Sequence, residues 1–509
     1  MNWGRVVRNV FSNWTSYLVT AVIAFMLTPV VVHSLGATGY GLWTLVLSIT
    51  GYFGLLDLGI RSSVSRFLAR HLALNDDEAV NRTASAAFLM LACGGVIAFL
   101  ATLGIAAFFF DSFLVEPEYA SAGRTALLIT GLNMSCVLPL GIFSAMLYAS
   151  ERFDIVSGIT IVMELARGAL VVWLLRNNYG LVALAVVALG ISALQYGAMA
   201  VFARRLHPRL RINLRQVDWA VGRELFGFSI YRFVWIVANQ LIFYVDAVVI
   251  GIYLGAGAIT HFAIAASLVN YGRNVVFLLL DPLYPSAARM DADGDVVELQ
   301  RLLIVGTRLA LLVALPLCVG FMFLGRQFIT LWMGSEYVGS AVVLMVLTIP
   351  QFGSMPQYVS ALVLAGMARH KVFAYVALAE GIANVVLSVY LVQRIGLIGV
   401  AWGTVIPALL TNFVVVPLYT LHVLKIDLKD YLVKAYLRPV LCALPVVAMA
   451  YSYSMLETTT WLRFAAEAIS ICGVFGVMSY FLCLYAEQRA ALTARLWAVV
   501  RSAPATSEV

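Results

Sequence analysis

A chain of 509 residues that is 62% hydrophobic and only 12% charged, with a mean hydropathy of +0.94, is too apolar for a water-soluble globule, in which roughly half the residues are apolar. On that background the formal charge of +7 reads first as membrane topology and not as a nucleic-acid-binding surface. The six cysteines lie in apolar runs without CxxC spacing, which excludes a disulfide framework or a zinc site and leaves packing as their expected role.

Apolar runs long enough to cross a bilayer, at about 1.5 Å per residue, fill most of the chain. They fall at about 11–34, 41–66, 83–110, 124–149, 155–176, 180–203, 224–251, 257–288, 299–325, 340–366, 372–394, 397–424, 438–455 and 462–486. The pattern predicts an all-α polytopic membrane protein of about 14 transmembrane helices. The first run is preceded by about ten residues and lacks a small-residue cleavage site, so it is expected to be a retained helix and not a signal peptide.

Basic residues test this topology. The outer segments hold only Arg124, Arg176, Arg326, Arg394 and Arg463, and the remaining loop arginines and lysines fall inside, so both termini are expected in the cytoplasm. The densest basic stretch, RRLHPRLRINLR at 204–215, has no interleaved aromatic residue and lies between two spans. A cytoplasmic linker that touches anionic headgroups is expected there, and no nucleic acid.

An internal repeat organises the spans. LGATGYGLWTLVLSI at 35–49 lines up with LGAGAITHFAIAASL at 254–268, and NDDEAV at 75–80 falls opposite DGDVVE at 293–298. Pro139 and Arg152 have the spacing of Pro356 and Arg369, and Glu164 precedes Gly180 as Glu380 precedes Gly396. The shared offset of about 216–219 residues predicts an N-terminal lobe (1–203, spans 1–6), a basic linker (204–223), a C-terminal lobe (224–424, spans 7–12), and a last segment (425–509) with two extra spans and a cytoplasmic tail. Six is even, so the two lobes enter from the same side and the repeat is parallel, with a pseudo-two-fold axis along the membrane normal. Parallel repeats of this kind build secondary transporters whose central cavity opens to alternate sides.

Ionisable residues inside the spans are the candidates for chemistry: Asp57, Arg61, Glu164, Arg167, Arg232, Asp246, Arg273, Asp281, Arg308 and Glu380. A lone Arg or Asp at mid-membrane costs roughly 2.5–3.5 kcal/mol, so these groups are expected to pair or to face water. Arg61, Arg232 and Arg273 stand in the first two spans of a lobe and carry the fork that fits a phosphate or diphosphate. Each also has a structural reading: Arg61 paired with Asp57 four residues before it, Arg273 with an acid elsewhere, Arg232 snorkelling. Glu164 has Arg167 three residues on, which suggests a structural pair, whereas Glu380 has Asn384 and no arginine nearby, so its protonation could couple to transport. Asp57, Asp246 and Asp281 carry the same two readings, ion coupling or helix packing. No metal, cofactor or catalytic residue is expected.

The order LGATGYGLW, then DLGI followed by Arg61 and Arg66, then the polar loop NDDEAVNR, resembles the oligosaccharide flippases of bacterial surface-polysaccharide synthesis. These belong to the multidrug/oligosaccharidyl-lipid/polysaccharide exporter superfamily, and the likeness covers nearly the whole chain in length and helix pattern. The resemblance implies that the substrate is an undecaprenyl-diphosphate-linked oligosaccharide repeat unit. It would be moved from the cytoplasmic to the outer leaflet of the bacterial inner membrane by alternating access, with proton or sodium counterflow, for O-antigen or exopolysaccharide synthesis. The resemblance also places cavity arginines at Arg61 and Arg273, and it implies membrane lipids, a polysaccharide polymerase and a chain-length regulator as partners.

Two other classes stand beside this one. A cation-coupled drug or metabolite antiporter of the same superfamily would favour an acidic cavity, and the excess of buried arginine leans the other way. A membrane-embedded polysaccharide polymerase would carry a long outer loop with a nucleophile and base, but the longest outer loops, 111–123 and 326–339, are short. Asp291-Ala292-Asp293 lies in a short loop without a nucleotide fold, DADGD lacks the glutamate that closes a calcium loop, and no Walker A sequence occurs. The chain is therefore expected not to be an enzyme, and its energy to come from a gradient or from the fate of the substrate.

Overall fold

The structure is a computed structural model that describes residues 3–213, 219–369, 371–456 and 460–483, and among these every regular element is helical. Helix α1 (Trp3–Gly51) is broken at Gly36, whose φ of 70° and ψ of 175° lie outside the helical region. The turn between the first two expected spans is made at Gly36. Gly41 stays helical and serves close approach instead, because a Cβ there would overlap the carbonyl of Ala256.

The expected second span is also broken. A 3-10 turn (Tyr52–Asp57) passes through Leu58 and Gly59, left-handed at φ 50° and 72°, into α2 (Ile60–Ala73). Glycine takes that conformation freely, while Leu58 does so at a cost of about 1–2 kcal/mol. Helices α3 (Asp77–Gly104), α4 (Pro117–Ala149), α5 (Phe153–Arg176) and α6 (Leu181–Leu206) follow the expected runs.

The next two runs each divide: α7 (Trp219–Phe243) and α8 (Val245–Tyr253) meet at Tyr244, and α9 (Ala256–Leu280) and α10 (Leu283–Ala292) meet at Asp281-Pro282. After α11 (Val296–Phe323) and α12 (Gly325–Met333), helices α13 (Ser340–Thr348) and α14 (Gln351–Gly366) are bent by 45° where Pro350 removes an amide donor. Helices α15 (Lys371–Ile395), α16 (Leu397–Leu410), α17 (Val416–Leu424), α18 (Leu428–Tyr431), α19 (Arg438–Ser454) and α20 (Trp461–Leu482) follow among the described residues.

Among the described residues twelve helical segments are long and apolar enough to cross a membrane, and the bent pair α13–α14 makes a thirteenth. The first of the twelve, Trp14–Asp57, runs 44 residues and contains the break at Gly36, so it supplies two of the expected spans.

Backbone conformation follows the repeat seen in the sequence. Gly36 and Gly255, Asn75 and Gly294, and Glu151 and Ala368 all have positive φ at matching places. Asp76 and Asp295 cap α3 and α11 alike, each carboxylate accepting the amide three residues on, at 2.9 and 3.0 Å. The acidic runs NDDEAV and DGDVVE are therefore helix starts, where negative charge suits the dipole.

The chain packs as two compact units, Met1–Ser267 with Lys371–Ala408, and Leu268–His370 with Leu409–Val509. In the first, Ile60, Val64 and Leu68 form one stripe of α2 at helical spacing and pack with Ala84, Ala87 and Leu91 of α3 and with Met146 of α4. The non-helical part of the basic linker is not a loose tether. Asn81 of α3 donates to the Arg209 carbonyl at 3.1 Å and accepts the Arg211 amide at 2.8 Å, while Ser85 accepts the Asn213 amide at 3.0 Å. Arg209 pairs with Asp77 at 2.8 Å, and His207 shares a 2.7 Å hydrogen bond with Ser150. Residues 214–218 of the linker lie outside the described residues.

In the second unit α11 is buried on two faces. Leu299, Leu303, Ala310 and Cys318 meet Val359 and Val363 of α14, whereas Leu311, Leu315 and Val319 meet Cys442 and Val446 of α19 and Ile471 and Phe475 of α20. The last two spans are thus seated on α11. Arg308, 5% exposed, fastens them by donating to the carbonyls of Lys434 and Cys483. Packing as the role of the cysteines holds for Cys318, Cys442 and Cys483, which are buried; Cys93, Cys136 and Cys472 lie exposed on helix faces.

Candidate functional site

Arg61 is the second residue of α2, directly after the break at Leu58-Gly59. A cation at the N-terminal end of a helix meets the positive end of the dipole. Asp57 offsets this: its Oδ1 accepts the Arg61 amide at 3.4 Å and lies 3.7 Å from the Arg61 Nε. The guanidinium also donates to the Val137 carbonyl of α4 at 3.1 Å. It rests on Gly141, where a Cβ would overlap the guanidinium nitrogen and push it aside. Asp57 therefore meets both the backbone amide and the side chain of Arg61.

Beyond Arg61 opens a cavity of about 370 Å³ among α2, α4, α5 and α6, lined by Arg61, Ser65, Ser144, Ala145, Tyr148, Val156, Thr160, Gln195, Tyr196 and Met199. Among the described residues no carboxylate lines it. One cation, three small hydroxyls, a carboxamide and two phenols face this space, a set that suits an anion bearing hydroxyl groups and gives an organic cation no carboxylate to pair with.

The second unit holds another charged group. Arg273 of α9 donates to the Asn270 side chain at 2.8 Å and lies 5.7 Å from the centre of the Phe277 ring. Phe277 stacks on Tyr358 of α14 with ring centres 3.7 Å apart, and the Tyr358 hydroxyl donates to Asp281 at 2.6 Å. Arg273 and Asp281 thus belong to one cluster joined through an aromatic pair. Tyr358 was not foreseeable from the chain, since it is 77 residues from Asp281.

A third cluster surrounds Asp246, 5% exposed on α8. Its Oδ2 accepts from Thr404 of α16 at 3.0 Å, and its Oδ1 is buried without a hydrogen-bond partner among the described residues. On α15, Ser388 donates to Asn384 at 2.9 Å and approaches the Val400 carbonyl at 3.4 Å. Carboxylate, hydroxyl, carboxamide and carbonyl oxygens so gather in one buried region, with Glu380 half-buried one turn before Asn384. Among the described residues no group of three or more His, Cys, Asp or Glu side chains could hold a metal ion.

The other expected residues are placed as follows. Glu164 and Arg167 are paired on α5 at 2.7 Å. Arg232 lies on α7, but its side chain is outside the described residues. At the loop end of the first unit, burial pushes the His207 imidazole below its ordinary pKa, with the nearby Asp77 carboxylate pulling the other way.

Repeated helical segments, broken second spans and a cavity walled by an arginine define a polytopic membrane transporter with the fold of the multidrug/oligosaccharidyl-lipid/polysaccharide exporters. The chain belongs to the polysaccharide biosynthesis protein family, whose pattern matches residues 6–291. It is 23% identical over 500 residues to the uncharacterized membrane protein EpsK of Bacillus subtilis (strain 168), covering 94% of this chain and 96% of that one. A putative O-antigen transporter of Shigella flexneri is 22% identical over 423 residues, covering 82% and 98%. Among solved structures, the lipid II flippase MurJ in an inward closed conformation shares the fold with a TM-score of 0.73 at 15% identity, over 93% of this chain and 99% of that one.

Proposed function

We propose that the protein is a flippase that carries an undecaprenyl-diphosphate-linked oligosaccharide repeat unit from the cytoplasmic to the outer leaflet of a bacterial plasma membrane, for O-antigen or exopolysaccharide synthesis. The observation that carries this reading is the Arg61 guanidinium, held at the wall of a cavity whose lining, among the described residues, has no carboxylate. In a low-dielectric setting such a fork favours a phosphate over water, and it repels an organic cation. Arg273 offers the same chemistry in the second unit. The family and the name of the Shigella relative support the substrate class. A drug-cation antiporter, the rival reading, finds no acid in this cavity.

On this reading the repeat halves, 1–203 and 224–424, are the bodies that alternate access, and both termini and the basic strap at 207–213 face the cytoplasm. The oxygen cluster around Asp246 is the seat of the coupling cation, a proton or sodium, because a buried carboxylate with an unmet oxygen gains most from one.

The test is export in cells. Arg61→Ala and Arg273→Ala should each abolish surface polymer while the protein still inserts, and lipid-linked repeat units should accumulate. Normal polymer from both variants contradicts the assignment.

A further inference from the structure

We propose that Cys442 and Cys483 form a redox-active thiol pair, which a hydroperoxide oxidises to a disulfide that staples the last two spans together. The site lies in the second unit and does not depend on the flippase reading.

The sulfur of Cys442 on α19 lies 3.7 Å from that of Cys483, which caps the end of α20, and both side chains are fully buried. Among the described residues no other two cysteine sulfurs come this close. The pairing leaves no sign in the sequence, since the two residues are 41 apart and share no CxxC spacing. Packing brings them together: both belong to the cluster in which Leu311 and Leu315 of α11 meet Val446 of α19 and Phe475 of α20. Two cations hold the backbone there. Arg308 donates to the Cys483 carbonyl at 3.3 Å, and Arg438, one turn before Cys442, donates to the Leu482 carbonyl at 3.4 Å. Positive charge beside a thiol favours the thiolate, which is the form that reacts.

The chemistry balances with a hydroperoxide as oxidant. The thiolate of one cysteine attacks a peroxide oxygen, the O–O bond breaks, and a sulfenic acid forms as water or an alcohol leaves. The second sulfur then displaces hydroxide from the sulfenic sulfur, and the S–S bond closes with release of water. Two electrons pass from the sulfurs to the peroxide, and both thiol protons leave in the water or alcohol formed. For this the sulfurs must approach from 3.7 Å to about 2.0 Å, which the end of a helix allows because helix termini fray. Burial shuts out bulky charged oxidants and selects a small neutral peroxide. The neighbouring thiol captures the sulfenic acid before a second peroxide oxidises it further. The product closes a loop of 41 residues around α19 and α20, and such closure restricts the unfolded chain.

The experiment uses the full chain in nanodiscs, reduced with dithiothreitol, freed of it, and then treated with hydrogen peroxide or left untreated. Remaining thiols are alkylated in denaturant and the digest is read by mass spectrometry. Peroxide should yield a peptide pair joined through Cys442 and Cys483, lighter by two hydrogen atoms than the reduced pair and restored by dithiothreitol, with the melting temperature of the protein raised by a few degrees. Cys442→Ser should remove both the linked pair and the shift. If peroxide leaves both thiols open to alkylation, or takes each to a sulfonic acid without the linked pair, the two are a packing contact only and the proposal is overturned. Linkage of either to another cysteine overturns it as well, and a linked pair that leaves melting unchanged overturns the staple. The linked peptide is read on the wild-type chain, so the result stands even where a variant fails to insert.

Discussion

Arg61 and Arg273 stand in the second span of the first and second repeat halves, and both spans break, but the charges sit on different sides of the break. In the first half the break at Leu58-Gly59 precedes the arginine, so Arg61 starts a helix, where its charge opposes the dipole and the Asp57 carboxylate offsets it. In the second half the break at Asp281-Pro282 follows the arginine. Asp281 stands just before α10, where a carboxylate suits the dipole, and its oxygen accepts from Tyr358. The same device, a broken span with an acid and an arginine, thus yields a pair local in sequence in one half and a cluster spread over two helices in the other.

This contrast can be broken from the first half with the largest effect. Gly141→Ala puts a Cβ onto the guanidinium nitrogen of Arg61, so the guanidinium must shift from its place against α4, which loosens its bond to Val137. Flipping by the reconstituted protein should fall on the order of 10- to 100-fold, the loss expected for one or more charge-assisted hydrogen bonds. A wild-type rate would mean that the seat of Arg61 is immaterial. Next in size is Asp246→Asn, which keeps the shape of its cluster and removes the charge. Stimulation by an imposed pH or sodium gradient should vanish while downhill flipping persists, and an unchanged gradient response would make Asp246 a packing group.

Smaller effects probe the second half and the loop end. Tyr358→Phe keeps the stack on Phe277 and removes the bond to Asp281. It should cost about 0.5–1.5 kcal/mol of stability, because the bond is exposed, seen as a lowered melting temperature, with transport reduced less than by Gly141→Ala. If the melting temperature does not move, Asp281 has another anchor. For His207 the folded pKa lies below the unfolded one because burial disfavours the cation. The unfolded state then binds more protons as pH falls below about 6.5, so stability drops from there toward the lowered folded value and levels off beneath it. His207→Gln should flatten that part of the profile, and proteolysis of the 207–213 strap as a function of pH reads it.

Much of the fold was legible because membranes impose length and hydropathy, and because repeats leave marks that pairwise offsets detect. Gly36 and Gly255 both turn, Asp76 and Asp295 both cap, and Glu164 and Arg167 meet at the three-residue spacing that brings side chains together on a helix. The break in span 2 was not legible, since the apolar run over 42–56 and the four-residue spacing of Asp57 and Arg61 read as one continuing helix, and a left-handed leucine has no sequence signal. Nor were the partners of the candidate residues. Val137 and Gly141 for Arg61, Tyr358 for Asp281, and Thr404 for Asp246 are each tens to more than a hundred residues away and are brought close only by packing. The nearest hint was polar residues such as Asn384, Ser388 and Thr404 within apolar runs, which cost free energy unless they meet.

The most direct measurement is leaflet exchange of a labelled undecaprenyl-diphosphate-linked oligosaccharide in proteoliposomes containing the purified protein, its Arg61→Ala variant and its Arg273→Ala variant. The wild type should move the lipid across the bilayer, and each variant should fall to the rate of protein-free vesicles while staying folded by its melting temperature. Exchange by both variants at the wild-type rate, or none by the wild type under an imposed proton or sodium gradient, would contradict the account.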